Sequence, residues 1–391
     1  MPRPGLRPMR ALPLLEPRRA ALELCVFCPK LCRSACPVSN AEPRETITPW
    51  GKMSLAWMAA HGDVAIDDAH AAPAWACTGC YGCREACDHR NGVAEVLLDA
   101  RDAMTRRGVG PDAARRVLSR FGRHDIETRV ANRELGRSPG VEADAKQALL
   151  VGCGYVRAAP REASDAVDAA VALTDGPVAL VEGCCGLPLR LAGDRPRFRR
   201  HALSFARSLA GRAHLLVVDA GCAMALQRRY PEEGVVLEPT VELLVERAAR
   251  DLGRLKPVLP EAGAVRYHDP CQLGRGLGVY EAPRAVLGRA LGRPPDEFDD
   301  RRELAACSGA GGLLPSTMPD VARDIAQARL DAHVRAGGGR IVTACASSLL
   351  ALRKRAASSN TAVEDLTSWI ARAVSTRGAR GSGNNDPPAS H

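Results

Sequence analysis

The chain has 391 residues, enough for two or three domains, and a hydrophobic content of 46% that permits sizeable cores. Aromatic residues make up only 4%, so those cores must be aliphatic and alanine-rich, and the formal charge of +9 is carried mostly by arginine. No basic run is interleaved with aromatics, which argues against a nucleic-acid partner, and no stretch of about 18 apolar residues exists to span a membrane. The arginine excess reads either as a composition bias or as a surface for an acidic protein or an anionic membrane.

Residues 1–19 are rich in Pro and Arg and are expected to be a disordered basic N-terminus. Met1–Leu24 has no apolar core of the kind a secretory signal needs, so a cytoplasmic chain is expected. In that compartment the fifteen clustered cysteines point to metal rather than disulfides. Cys25, Cys28, Cys32 and Cys36-Pro37 form the first run. Pro49 then suits the first turn of a helix carrying Trp50, Met53, Trp57 and Met58 on one side. The second run is Cys77, Cys80, Cys83 and Cys87, and helical spacing returns at Val93, Val96, Leu97 and Ala100. Residues 20–104 therefore read as a compact helical unit.

Both runs carry the spacing of a cubane iron–sulfur site, in which a tight loop aims three thiolates at one cluster and the fourth cysteine ligates the other. The crossed assignment gives one [4Fe-4S] cluster to Cys25, Cys28, Cys32 and Cys87, and a second to Cys77, Cys80, Cys83 and Cys36. Two departures stand out. Three residues, Pro29-Lys30-Leu31, separate Cys28 from Cys32 where the usual run has two, and Asp88 follows Cys87 where proline is usual. A pair of structural four-cysteine zinc sites is the competing reading; the interlocked runs and Pro37 favour clusters.

Residues 105–145 are charged and poor in apolar side chains apart from Val117, Leu118 and Phe121, and read as a helical linker. From Ala148 short apolar runs alternate with helical patterns, which predicts βαβ units and a parallel sheet. The runs end at Cys153, at Cys184-Cys185-Gly186 and at Cys222, where open α/β sheets place their sites. Four thiolates at strand ends can converge on one metal; a vicinal disulfide or buried free cysteines compete with that. The pattern repeats after a period of roughly 120 residues, with cysteines at equivalent strand ends: Cys271, Cys307 and Cys345. Residues 146–250 and 260–372 thus form two related α/β domains, and 373–391 are expected to be a disordered tail.

Cys184-Cys185-Gly186, His268-Asp269-Pro270-Cys271, Gly274-Arg275, Tyr280, Pro283 and Arg284 carry a family resemblance. The chain resembles iron–sulfur subunits with a two-cluster ferredoxin domain followed by two CCG cysteine-rich domains. Examples are the iron–sulfur subunits of glycolate oxidase and of the anaerobic glycerol-3-phosphate dehydrogenase, lactate-utilisation proteins and heterodisulfide reductase catalytic subunits. The resemblance implies an α+β multidomain fold: a helical two-cluster domain, then two tandem α/β CCG domains. Both CCG copies depart from the full pattern. Asp219 stands where the first has a cysteine, leaving Cys153, Cys184, Cys185 and Cys222. Ser308 and Ser348 stand in the second, leaving Cys271, Cys307 and Cys345. The first copy is expected to hold a third iron–sulfur cluster; for the second, an open cluster, a zinc completed by His268, and no metal all stay open. His268 equally reads as a strand-end residue bonded to backbone, and Asp219 as a hydrogen-bonding strand-end residue rather than an oxygen ligand of the first site. The Gly274–Gly278 and Gly309–Gly312 runs are not dinucleotide fingerprints.

The resemblance implies an electron-transfer subunit working between a flavoprotein dehydrogenase, of hydroxy-acid or glycerol-3-phosphate type, and a quinone or other acceptor. A peripheral position on the inner face of a membrane fits that role. Thiol–disulfide or substrate reduction at the CCG site, and a metal-stabilised scaffold without redox function, are the alternatives.

Overall fold

The computed structural model describes residues 8–29, 32–258, 263–357 and 361–374. The expectation of disorder over 1–19 fails where those residues are described. Pro13–Arg18 form a 3-10 turn that runs into helix α1 (Arg19–Val26). Met9, Leu12 and Leu15, spaced by three, are buried in one cluster with Met53 of α2 (Pro49–His61) and Leu97 of α3 (Val93–Thr105). Only Leu15 lies within the turn itself; burying the three apolar side chains outweighs the Pro and Arg around them. Helix α2 starts as expected, with Pro49 in its first turn and Thr48 Oγ1 accepting the Gly51 N–H at 3.0 Å. Its buried face differs from the expected one: Met53 packs inward with Ala56, Ala59 and Ala60, while Trp50, Trp57 and Met58 are half-buried.

The expected linker contains α4 (Asp112–Leu135), whose Phe121, Thr128 and Asn132 are buried, and which packs on the first α/β unit. That unit is a parallel sheet of β1 (Gln147–Leu150), β2 (Ala179–Leu180), β3 (His214–Val217) and β4 (Thr240–Leu243), in the order β2-β1-β3-β4. Helix α5 (Pro160–Thr174) is the first crossover. The second unit pairs β5 (Val265–His268), β6 (Arg340–Thr343) and β7 (Ala362–Asp365), again parallel. Helix α6 (Pro319–Arg335) crosses from β5 to β6, and α7 (Leu366–Val374) ends the described chain. β4 and β7 escape the sequence pattern because they are short, polar edge strands. Cys307 does not end a strand: Arg302–Leu304 is a 3-10 turn and Cys307 lies in the loop after it. The expected disordered tail lies outside the described residues from 375 onward.

The two sheets share one apolar core, in which Leu149 and Leu216 belong to the same cluster as Ile341 and Trp369. Helix α7 packs on α5, and Tyr155 Oη donates to Asp365 Oδ2 at 2.7 Å. The helical domain is stapled to both units by buried arginines. Arg101 donates to the carbonyls of Ala74 (2.9 Å), Cys77 (3.0 Å), Leu191 (2.9 Å) and Gly312 (3.1 Å). Guanidinium suits this task because its five N–H donors reach several carbonyls at once. Part of the arginine excess is therefore internal. The chain is a mixed helix-and-sheet protein, with a helical domain ahead of two units built on small parallel sheets.

Candidate metal centres

Every cysteine in the chain is a free thiol. Cys25 sits in the last turn of α1, and Cys36 caps the helix Pro37–Ala41. Cys83 lies in the single helical turn Gly82–Glu85, with Cys80 just before it and Cys87 just after. Burial pushes the Cys25 thiol up to about 12 and the Cys32 thiol up to about 11, and the thiols of Cys28 and Cys87 add to both shifts. Burial raises Cys83 in the same way, and the thiols of Cys77, Cys80, Cys36 and Cys32 add to it. These mutual effects put Cys87 near Cys25 and Cys32, and Cys36 near both Cys83 and Cys32.

Thiolates crowded into a low-dielectric interior repel one another unless a cationic core compensates them. The surrounding donors fit such a core: Asn91 Nδ2 donates to Cys25 Sγ (3.0 Å), the Gly79 N–H to Cys77 Sγ (3.4 Å) and buried Lys52 Nζ to Cys36 Sγ (3.5 Å). The spacing also bears on zinc. A tetrahedral zinc holds thiolates about 3.8 Å apart, from a Zn–S bond of about 2.3 Å. Among the described residues, no three of these eight thiols lie within 4.8 Å of one another. Asn91 escapes a reading of the sequence because it belongs to no cysteine motif, and Lys52, in the helix start Pro49–Met53, carries no signal there of a role at sulfur.

The first α/β unit gathers its four thiols at the carboxyl ends of β1, β2 and β3. Cys184 Sγ lies 3.9 Å from Cys153 Sγ, and Cys185 bridges between Cys184 and Cys222. Hydrogen bonding from Cys184 holds the Cys153 thiol down to about 6 and pushes Cys184 itself up. Gly186 has φ +83°, and a Cβ there would lie 2.6 Å from the His201 ring, so glycine is required after the pair. The backbone is pinned by Asp125 Oδ1 on the Cys184 N–H (2.8 Å), His201 Nε2 on the Cys184 carbonyl (2.7 Å) and Tyr230 Oη on the Cys185 carbonyl (2.8 Å). Asp219 caps the next helix, accepting from the N–H groups of Gly221 (2.7 Å) and Cys222 (3.2 Å), and its other oxygen accepts from Ala346 N–H (3.1 Å) in the second unit. Both carboxylate oxygens are thus engaged by backbone. Helix α4 adds His124, whose ring nitrogen lies within 4.8 Å of the Cys153 and Cys184 thiols. No signal in the charged sequence around His124 singles it out.

The second unit divides its thiols. Cys307 touches Cys271 on one side and Cys80 of the helical domain on the other; the Cys271 contact and burial push its thiol up to about 12 against the opposing effect of Cys80. Cys345 faces Asp219 and Ser348 instead, and burial raises its thiol to about 12. Ser308 Oγ and Ser348 Oγ are buried and hydrogen-bonded to each other at 2.9 Å. His268 Nδ1 accepts from Arg329 Nε (3.2 Å), and burial holds its ring well below the usual range. No thiol pair within 4.8 Å joins it among the described residues. Asp269 is clamped by Arg284 (2.7 and 2.8 Å), which also binds Glu297, so these motif residues hold the loop in place. Between the units lies a cavity of about 290 Å³, onto which Cys153, Cys185, Cys222, Cys271 and Cys345 open beside Asp219.

The comparisons with known proteins agree with this layout. A 4Fe-4S dicluster domain matches residues 21–91, and the cysteine-rich domain matches twice, over 147–227 and 265–353. The chain is 30% identical to the B-type subunit of the fumarate reductase (CoM/CoB) of Methanothermobacter marburgensis, over 69% of its own length and 55% of that relative's. It is 26% identical to the D-type subunit of the dihydromethanophenazine:CoB–CoM heterodisulfide reductase of Methanosarcina barkeri, over 79% of this chain and 78% of the relative. It is 35% identical to the EtfAB:quinone oxidoreductase of Syntrophomonas wolfei, over 34% of this chain and 18% of the relative. The chain thus spans about half of the first relative and a small part of the third. Among the described residues, no helix is long and apolar enough to cross a membrane.

Proposed function

We propose that this chain, which belongs to the iron–sulfur proteins joining a 4Fe-4S dicluster domain to two cysteine-rich domains, is the electron-transfer subunit of an oxidoreductase. In this reading it works between a flavin-dependent dehydrogenase, of hydroxy-acid or glycerol-3-phosphate type, and a quinone or other acceptor. The heterodisulfide reductase and quinone oxidoreductase relatives support an oxidoreductase role. One observation carries it: the loop bearing Cys77, Cys80 and Cys83 is welded to the second cysteine-rich domain. The Cys80 thiol touches Cys307. Arg275 ties the Cys80 carbonyl (2.6 Å) to those of Ala305 (2.6 Å) and Glu303 (3.0 Å). Gly312, at φ +63°, lets two backbones meet where a Cβ would come within 2.0 Å of the Cys77 carbonyl oxygen.

Cys25, Cys28, Cys32 and Cys87 would hold one [4Fe-4S] cluster, and Cys77, Cys80, Cys83 and Cys36 the other. When bound, such clusters take up and release single electrons at potentials set by burial and by hydrogen bonds to sulfur. The residues of the chain supply both levers: Asn91 and Lys52 donate toward sulfur, and the buried Arg101 and Arg275 exclude water behind the second loop. Cys153, Cys184, Cys185 and Cys222 would hold a third cluster. A second reading, substrate or disulfide reduction, draws on the cavity between the two domains. The Ser308–Ser348 pair counts against it, since two mutually bonded hydroxyls line the place where a full module has thiolates.

Anaerobic purification with iron and zinc counts, followed by EPR of the reduced protein, tests the proposal. About eight irons from the two ferredoxin-type clusters and a coupled two-cluster signal are expected, and iron beyond those eight should be lost in Cys184→Ser. Cys87→Ala should damage the signal of the Cys25–Cys32 set; damage confined to the Cys77–Cys83 set would overturn the crossed assignment. Zinc without a reducible signal would overturn the redox role, and affinity capture of a flavoprotein tests the partner.

A further inference from the structure

Helix α4, read from sequence as a linker, forms a wall of the first cysteine-rich site. Its Asp125 pins the Cys184 N–H, and the preceding residue, His124, reaches the Cys153 and Cys184 thiols. His124 Nε2 is buried and has no hydrogen-bond partner among the described residues. On the other side of the ring, Nδ1 meets Nη1 of Arg157, and Glu127 of α4 holds that guanidinium in turn.

The tautomer follows from these contacts. A guanidinium only donates and keeps its proton, so Nδ1 must be the acceptor and the proton of the neutral ring sits on Nε2. A metal-ligating histidine is arranged the opposite way: the coordinating nitrogen is bare, and the other N–H is given to a carboxylate, carbonyl or water. The spacing of His124, Cys153 and Cys184 alone would suit a single ion. The Arg157 contact decides against histidine ligation and leaves the ring N–H on Nε2, the buried nitrogen without a partner, in a ring that lies beside both thiols.

We propose that His124 is a positioning residue that donates its Nε2–H to the Cys153–Cys184 sulfur pair, with Arg157 and Glu127 locking the tautomer. The proposal rests on the reading of the first cysteine-rich domain as a thiolate site. A donor on sulfur stabilises the more negative, reduced state, so His124 raises the potential of whatever cluster these thiolates hold.

The test uses the full chain, purified anaerobically, as wild type, His124→Ala, His124→Gln and Cys184→Ser. Gln keeps an N–H donor at similar reach, and Cys184→Ser identifies the signal of the first cysteine-rich domain. His124→Ala should retain the iron that Cys184→Ser loses and shift the reduction equilibrium of that signal about tenfold toward the oxidised form, or about 59 mV for a one-electron step. His124→Gln should recover most of the shift. Iron loss in His124→Ala equal to that in Cys184→Ser would make His124 a ligand and overturn the proposal, as would an unshifted midpoint. If Cys184→Ser leaves the metal content unchanged, the third-cluster reading fails but His124 is still tested. Iodoacetamide labelling of Cys153, followed by mass spectrometry, should then slow several-fold in His124→Ala and recover in His124→Gln. Equal labelling rates in the wild type and His124→Ala would overturn the proposal.

Discussion

Both cysteine-rich domains are built on parallel sheets, of four strands in the first and three in the second, and their thiols are deployed differently. In the first, Cys153, Cys184, Cys185 and Cys222 form one chain of contacts, backed by α4. In the second, Cys307 contacts both Cys271 and Cys80 of the helical domain, while Cys345 faces Asp219. A duplicated fold therefore does not duplicate a site. Each copy answers to its own packing neighbour: α4 on one, the Cys77–Cys83 loop on the other.

The comparison breaks most completely at the seam. Gly312→Ala would place a methyl group 2.0 Å from the Cys77 carbonyl oxygen in a left-handed backbone. It should cost about 3 kcal/mol or more and lower the iron content, read by urea unfolding and iron analysis. Next is Asp219→Ala, which uncaps Gly221 and Cys222 in the first domain and strands the Ala346 N–H in the second. A loss of about 2 kcal/mol is expected, and both domains should loosen together in hydrogen exchange.

A smaller effect belongs to Asp365, which joins the domains through Tyr155. Burial raises its carboxyl to about 6. Between about pH 4 and pH 6 the folded state keeps a proton that the unfolded chain has lost, so this group makes stability fall as pH rises through that window. Asp365→Asn keeps an acceptor for Tyr155 but does not titrate. The melting temperature of the variant should fall less than that of the wild type between about pH 4 and pH 7. The smallest effect sharpens the comparison: Cys345→Ser should leave iron and zinc unchanged, whereas Cys184→Ser lowers iron. Equal losses would mean that the second domain holds a metal after all.

Much of the helical domain is legible in the sequence because its signals are local. Thr48-Pro49 marks a helix start, and cysteines three residues apart mark tight loops. Residues 8–19 mislead because Met9, Leu12 and Leu15 are hidden among prolines and arginines, and only packing on α2 and α3 reveals their role. The face of α2 misleads because Met53 and alanines, not its tryptophans, fill the space available. Asn91 and His124 belong to no motif, and chain folding alone brings them, and Lys52 from the Pro49–Met53 helix start, to sulfur.

By itself, the sequence determined which residue types gather at each loop, because a run spanning about ten residues leaves few ways to orient its thiolates. It also showed that Asp219, Ser308 and Ser348 stand where a full pattern has cysteine. Only the tertiary structure decided what each thiol meets. The Cys80–Cys307 contact, the Asp219 link to Ala346 and the approach of His124 to Cys153 join distant parts of the chain. Such contacts depend on how helices and sheets pack, which no local spacing encodes.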